Sequence, residues 1–159
     1  MTRIRQIVSG GQTGVDRAAL DVALGLGLPC GGWCPRGRKA EDGPIPGRYP
    51  LRETPAAAYR QRTEWNVRDA DGTLVLHCGQ ATGGTALTIR LARRWRQPLL
   101  VLDLNLDPSP PLVRDWVRER KIRVLNVAGT RESQCPGIQR RAARFLRAAL
   151  TSSRGRGSS

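Results

Sequence analysis

The chain has 159 residues, 39% of them hydrophobic, which suits one domain with one core. Its formal net charge is +14, and arginine supplies 25 of the 27 basic residues. Such basicity favours affinity for phosphorylated small molecules or polyanions. Aromatic residues make up only 4% of the chain, which argues against a stacking platform for single-stranded nucleic acid. We therefore expect nucleic acid not to be the partner.

No part of the chain approaches the roughly 20 apolar residues that a membrane span needs, and the N-terminus lacks the apolar segment of a signal peptide. We therefore expect a cytoplasmic protein with no membrane attachment. Its four cysteines, Cys30, Cys34, Cys78 and Cys135, are interpreted as thiols. A metal site would need Cys78, Cys135 or His77 to be brought together by the fold, so no intrinsic metal site is predicted.

The first predicted unit is a strand, a glycine-rich turn and a helix. Residues 4–8 are apolar, and the turn Gly10-Gly11-Gln12-Thr13-Gly14 follows them. Apolar residues then recur at helical spacing as far as Leu26. Thr13 is predicted to cap this helix, and Asp16 lies in its first turn, where the helix dipole favours negative charge.

Four further apolar runs alternate with helical patterns. We predict strands near residues 30–33, 73–78, 99–104 and 122–127, and helices beginning near residues 54, 83, 109 and 136. The alternation predicts an α/β fold: a single Rossmann-like domain over residues 1–150, with about five mainly parallel strands and helices on both faces. Residues 151–159 are predicted to form a disordered Ser/Gly/Arg tail.

Residues 35–53 form a long irregular segment in this pattern. The segment holds four prolines and three glycines and has no clear helical or strand periodicity. Segments of this length inside a compact domain are usually functional or disordered.

Three loops follow predicted strands and precede predicted helices: residues 10–14, 82–85 and 129–133. Ligands of parallel α/β sheets bind beyond the carboxyl ends of the strands, where helix N-termini offer free N–H donors. We therefore predict an anion site, and its candidate residues are Gly10, Gly11, Gln12, Thr13, Gly14, Gly83, Gly84, Thr85, Gly129 and Thr130. The alternative, that each glycine only permits a tight turn, stays open.

The first loop matches neither common nucleotide-binding pattern. It lacks the lysine of G-x-x-x-x-G-K-[ST], and it is not G-x-G-x-x-G. Neither ATP hydrolysis nor ordinary NAD binding is therefore predicted.

Four other side chains are candidates for the same site. Arg131 is suited to hold a phosphate through two hydrogen bonds, or it forms a surface ion pair with Glu132. Trp33 stacks on a flat heterocycle or belongs to the core. Asp69 and Asp71 precede the third strand and either contact the ligand or form a turn. No catalytic residue is predicted.

The last predicted helix carries a basic stripe, formed by Arg140, Arg141, Arg144 and Arg147. The stripe is interpreted as a solvated face, with weak, salt-sensitive contact to nucleic acid as the alternative.

The motifs resemble those of the molybdenum cofactor carrier proteins, Rossmann-like proteins related to the lysine-decarboxylase-like (LOG) group. The resemblance covers about residues 3–150 and depends on SGGQTGVDRAALD at 9–21, GGWCPRGRKAEDGPIP at 31–46, YPLRET at 49–54, RTEWNVRDADGTL at 62–74, GGTALT at 83–88 and NVAGTRES at 126–133. Thr130 stands where the family pattern has proline.

The resemblance implies a protein that binds, protects or delivers molybdenum cofactor, a tricyclic pterin with a terminal phosphate and a dithiolene-held metal. The implied partners are this phosphate-bearing small molecule and molybdoenzymes, and we expect a homo-oligomer. A nucleotide-binding sensor and a LOG-like nucleotide phosphoribohydrolase are the alternatives. These hydrolases carry a motif similar to PGGxGTxxE, whose glutamate takes part in catalysis. The corresponding residues 82–90 of this chain contain no carboxylate, so the general acid/base is missing from this loop and first helical turn.

Overall fold

The central feature of the fold is a five-stranded parallel sheet. The computed structural model describes residues 3–151, and its strands in chain order are β1 (Gln6–Val8), β2 (Cys30–Gly31), β3 (Trp33–Cys34), β4 (Lys39–Ala40), β5 (Gly43–Pro44), β6 (Arg52–Glu53), β7 (Gly72–His77), β8 (Leu99–Asp103) and β9 (Val124–Gly129). The large sheet has the order β2-β1-β9-β7-β8, and every neighbouring pair is parallel. This confirms the predicted α/β class and its five strands.

Helices cover both faces of this sheet. They are α1 (Val15–Leu26), α2 (Tyr59–Arg68), α3 (Gly83–Arg94), α4 (Pro111–Arg120) and α5 (Ile138–Leu150). Helix α5 packs against α1 and α4, and α2 packs against α3. Leu74 and Leu76 of β7 belong to the core that α1, α4 and α5 cover, whereas Val67 and Leu91 form a separate cluster between α2 and α3. β7 is buried almost throughout because it is a central strand of a sheet covered on both faces.

The 35–53 segment is folded rather than irregular. Strands β4 and β5 form a small antiparallel ladder, and β6 pairs with β3 beside the main sheet. Ile45, Tyr49 and Leu51 are buried in a second core against Leu20 and Cys34. This core holds the segment across the turn that follows β1.

Arg38 organises the interior of this segment. Its guanidinium donates hydrogen bonds to four backbone carbonyl oxygens, those of Ile45, Pro46, Tyr49 and Leu51. The planar fork of arginine suits this task because it presents several N–H donors in fixed directions. Arg38 therefore supplies hydrogen bonds to backbone carbonyl groups of a segment that has only short strands.

One predicted helix start and one predicted helix cap are wrong. The helix predicted from residue 54 begins at Tyr59, because the Thr54 hydroxyl is engaged with the carbonyl oxygens of Cys34 and Ala56 before the helix begins. Thr13 does not cap α1. Gly14 is the N-cap residue, with φ 83°, and the Thr13 hydroxyl bonds to Glu41 instead.

The prediction of four free thiols is wrong for two of them. Cys78, which follows β7, is joined by a disulfide to Cys135, which precedes α5. These residues are 57 positions apart in sequence, and the fold brings them to the same edge of the sheet. Cys30 and Cys34 are free.

None of the helices in residues 3–151 combines the length and apolar character that a membrane crossing requires. Apart from Thr151, the tail predicted at residues 151–159 lies outside the described residues.

Candidate functional site

A pocket of about 360 Å³ opens at the carboxyl edge of the sheet, between α2, α3 and the ends of β1 and β9. Its position is the one expected for ligands of parallel α/β sheets. Seven of the predicted site residues line it: Gly10, Gln12, Gly83, Gly84, Thr85, Gly129 and Arg131. The structure therefore brings together members of all three predicted loops.

The other predicted site residues do not line this pocket. They are Gly11, Thr13, Gly14, Trp33, Asp69, Asp71 and Thr130. Trp33 packs edge-on against Trp65, and its indole N–H donates to Asp69 at 2.8 Å. Asp71 lies at the amino end of β7, where its carboxylate accepts the backbone N–H groups of Arg123 and Val124. These contacts give Trp33, Asp69 and Asp71 structural roles away from the pocket.

Three consecutive N–H groups of the first loop, and the first N–H group of α1, are bonded within the protein. The N–H groups of Gln12, Thr13, Gly14 and Val15 donate to Asp16 Oδ2, Gln12 Oε1, Gln139 Oε1 and the Thr130 carbonyl oxygen, respectively. The N-terminus of α1 thus already faces a carboxylate of its own chain. The expectation of free donors is therefore wrong for residues 12–14, whereas the N–H groups of Gly10 and Gly11 have no acceptor among the described residues.

The glycines of the first loop make room for protein side chains. A Cβ at Gly10 would meet the guanidinium of Arg62, and one at Gly11 would meet Ile45 and Leu51. Gly14 lies against the carbonyl of Thr130. At these positions, close contacts with other parts of the protein explain the glycines, and the approach of a ligand is not needed to explain them.

The third loop is also engaged internally, through Glu41. The Glu41 carboxylate accepts the hydroxyl and backbone N–H of Ser133, at 2.6 and 3.2 Å, and the hydroxyl of Thr13. It lies 3.7 Å from Arg131, whose predicted partner Glu132 instead caps the turn before α5. Burial opposes ionisation of Glu41, but these hydrogen bonds outweigh it and lower its pKa.

The second loop differs from the other two because the helix that follows it has an open N-terminus. In the described part of the chain, the N–H groups of Gly83 and Gly84 have no protein acceptor, and α3 has neither a side-chain cap nor an acidic residue in its first turn. A Cβ at either glycine would meet nothing within 4 Å. Of the three predicted loops, only this one has the open helix N-terminus that suits an anion.

Four arginines line the pocket, and three of them were missed from the sequence. Arg60, Arg62 and Arg90 join the predicted Arg131. Arg62 is only 7% exposed, and its Nη1 donates to the Gly10 carbonyl oxygen at 2.7 Å. Burial lowers the pKa of this guanidinium. The Tyr59 ring has the guanidinium carbons of Arg62 and Arg131 at 5.1 and 5.8 Å from its centroid.

Asp16 is the carboxyl group among these cations. It is 6% exposed, and Oδ2 accepts the Gln12 N–H at 3.2 Å. Burial raises its pKa to about 6, while the charge of Arg62 acts in the opposite direction. From the sequence, Asp16 was interpreted only as a partner of the helix dipole, and its place as a titratable group in the pocket was missed.

The pocket residues of α2 were missed because the buried side of this helix was not recognised from the sequence. Arg62 was not singled out from the sequence, but Arg62, Asn66 and Val67 form the buried side of α2. Arg62 and Asn66 are four positions apart, and residues at this spacing share one face of a helix. This spacing is the signal in the sequence that could have indicated the buried side. Asn126 and Gln134 also line the pocket and were not singled out.

Within residues 3–151 there is no cluster of three or more His, Cys, Asp or Glu side chains that is arranged to hold a metal ion. The pocket instead combines four guanidinium groups, one carboxyl group and an open helix N-terminus. This arrangement suits an anionic ligand that also has hydrogen-bonding groups.

Comparison with known proteins gives the family. A model of the circularly permutated YpsA SLOG family matches residues 7–150. A crystal structure from Syntrophus aciditrophicus, named "Putative molybdenum carrier protein", is 43% identical, with a TM-score of 0.91. The similarity covers 94% of this chain and 97% of that one. No curated protein matches. The motif resemblance is confirmed, and the chain belongs to the circularly permutated YpsA SLOG family.

Proposed function

We propose that this protein binds and protects molybdenum cofactor in the pocket between α2 and α3. The observation that carries the proposal is that four arginines and the open N-terminus of α3 line one pocket. The cofactor is a pterin with a terminal phosphate and an anionic metal–dithiolene group. Guanidinium groups and free N–H donors are the groups that hold such anions.

The similar protein from Syntrophus aciditrophicus supports this choice of ligand, since its name is that of a molybdenum carrier. The pocket volume of about 360 Å³ also lies within the range of small-molecule sites. The dithiolene sulfurs belong to the cofactor, so the function requires no cysteine ligands. The metal is therefore cargo rather than a resident group.

The proposal is tested by retention of cofactor. The full chain is mixed under anaerobic conditions with molybdenum cofactor released from a molybdoenzyme, and it is then separated by gel filtration. We expect molybdenum, measured by mass spectrometry, and pterin, measured by fluorescence after oxidation, to elute with the protein. Absence of both from the protein fraction would overturn the proposal.

Two glycine variants make this test specific. Gly84→Glu places a carboxylate at the open N-terminus of α3, where it favours the helix but repels an anion. Gly25→Glu is the matched control, because Gly25 lies in α1 away from the pocket and also has open space around it. We expect Gly84→Glu to lose most of the retained cofactor without any fall in melting temperature, and Gly25→Glu to retain the cofactor.

Asp16 supports a second candidate, the nucleotide phosphoribohydrolase. Cleavage of an N-glycosidic bond requires a general acid or base, and a carboxyl group with a pKa of about 6 is suited to that role. The first turn of α3 contains no carboxylate, but Asp16 lines the same pocket. Release of free base from nucleoside monophosphates, abolished by Asp16→Asn, would establish this activity. No release above background would exclude it for those substrates.

A further inference from the structure

The amide oxygen of the Gln12 side chain is hydrogen-bonded, whereas its amide nitrogen has no partner among the described residues. Its Oε1 accepts the backbone N–H groups of Thr13 and Glu41, at 3.1 and 2.9 Å. Two N–H donors require an oxygen, so these contacts fix which end of the amide is which. Within residues 3–151, Nε2 has no acceptor although the residue is only 5% exposed. Native proteins rarely leave a buried donor unpaired, which indicates that a bound molecule supplies the acceptor.

Asp16 provides an acceptor in the same pocket. One carboxylate oxygen is occupied by the Gln12 N–H, and the other has no protein donor in the described part of the chain. Both residues line the pocket. The side of the pocket that the first loop and α1 form thus offers one N–H donor, from Gln12, and one carboxylate acceptor, from Asp16.

We propose that Gln12 and Asp16 recognise the cyclic-amide edge of a heterocycle, in which a ring carbonyl lies beside a ring N–H, as in pterin and guanine. The inference rests on the proposed function insofar as the ligand occupies the same pocket. Gln12 Nε2 donates to the ring carbonyl, and Asp16 accepts from the ring N–H. Adenine presents an amino group and an unprotonated ring nitrogen at the corresponding edge, so both hydrogen bonds fail.

The charges in the pocket give the ligand a direction. The free N–H groups of Gly83 and Gly84 favour the phosphate at the α3 end, whereas at the α1 end the Asp16 carboxylate already offsets part of the positive charge of Arg62 and Arg131. A ring at the α1 end and a phosphate at the α3 end therefore satisfy both. The pKa of about 6 for Asp16 supports this assignment, because the acceptor is ionised at neutral pH.

The test is calorimetric binding of four probes to the full chain: guanosine monophosphate, hydroxymethylpterin phosphate, adenosine monophosphate and inorganic phosphate. We expect the guanine and pterin probes to bind at least about tenfold more tightly than adenosine monophosphate, since each unmatched buried group costs about that factor. The tighter of the two identifies the source of the ring. Inorganic phosphate is expected to compete with all three phosphate esters.

Two nearly isosteric variants assign the discrimination to these residues. Asp16→Asn keeps an oxygen for the Gln12 N–H and replaces the free acceptor by a donor, while Gln12→Glu keeps Oε1 and replaces the free donor by an acceptor. Each is expected to reduce the preference to less than about threefold and to leave phosphate binding in place. Asp115→Asn on α4, where Asp115 pairs with Arg118, is the matched control.

Equal binding of the guanine and adenine probes, or no binding of either cyclic-amide probe, would overturn the inference. Unchanged preference in both folded variants would do the same. If one variant fails to fold, the other variant and the wild-type preference still decide. Loss of cofactor retention with the preference intact refutes only the proposed cofactor. Retained cofactor with equal nucleotide binding refutes only this recognition.

Discussion

Glu41 accepts a hydrogen bond from the Ser133 hydroxyl at 2.6 Å, and this contact joins the 35–53 segment to the loop that follows β9. The same carboxylate bonds to Thr13 and lies near Arg131. One side chain thus holds three loops beside the pocket. The geometry of the site depends on a segment that no glycine motif would indicate.

Replacement of Glu41 by glutamine is expected to loosen this junction. Glu41→Gln keeps the shape but removes the charge, which weakens the hydrogen bonds from Thr13 and Ser133 and the ion pair with Arg131. We expect a loss of about 1–2 kcal/mol of unfolding free energy. Hydrogen exchange in residues 35–53 is expected to accelerate, as measured by mass spectrometry.

The exposed Glu119 on α4 provides the control, and Glu119→Gln is expected to change neither quantity. The pKa of Glu41 is lowered in the folded state, so its stabilising effect is present above its unfolded pKa and disappears as the pH falls through the folded value. A difference between wild type and Glu41→Gln that persisted in strong acid would contradict this explanation.

We expect that lysine cannot replace Arg38 without a loss of stability. Arg38→Lys keeps the charge but cannot reach four carbonyl oxygens with one ammonium group. We expect a loss of about 1–3 kcal/mol and faster proteolytic cleavage within residues 35–53. Arg36→Lys, two positions earlier and exposed, is the matched control. Equal stability and cleavage of the two variants would show that the carbonyl contacts contribute little.

The sheet could be predicted because its signal is local. Apolar runs that alternate with helical periodicity produce strands and crossover helices whatever the details of the loops. All five strands of the large sheet were located within a few residues, from β1 (Gln6–Val8) to β9 (Val124–Gly129). The position of the site at the carboxyl edge then followed from the topology.

The contents of the site were harder to predict because they depend on tertiary contacts. Arg62 is buried against Gly10, which lies 52 positions earlier, and neither residue type suggests that contact. Asp16 has the appearance of an ordinary first-turn acid until burial is known. The three glycine loops were similar in sequence, yet only the loop of Gly83 and Gly84 leaves the N-terminus of the following helix open in the described part of the chain. Hydrogen-bond partners distinguish the loops, and a sequence pattern does not contain them.

The cysteines give a direct test of the corrected prediction. In the denatured, unreduced protein we expect two thiols to be alkylated, Cys30 and Cys34, and four after reduction. In the native protein Cys34 is expected to react slowly, because it is fully buried and burial raises the pKa of its thiol. Peptide mapping by mass spectrometry identifies the labelled residues. Labelling of all four before reduction would contradict the disulfide.

The ionisation of Asp16 is expected to make stability depend on pH. The pKa is about 6 in the folded protein against 3.8 for an unperturbed Asp, so the folded state binds the proton more tightly than the unfolded state. Below the unfolded pKa, the Asp16 carboxyl group therefore leaves the free energy of unfolding unchanged. As the pH rises from the unfolded to the folded pKa, the free energy of unfolding decreases. The loss is about 3 kcal/mol and is complete above the folded pKa.

Asp16→Asn removes this titration while keeping an oxygen for the Gln12 N–H. The variant is expected to gain about 3 kcal/mol relative to wild type between about pH 4 and pH 8, as measured by chemical denaturation at both. Asp115→Asn, at an exposed position paired with Arg118, is expected to show no comparable change. A difference between Asp16→Asn and wild type that is constant with pH would mean that the carboxyl group keeps an ordinary pKa. Its role in the pocket would then depend on the Arg62 charge rather than on burial.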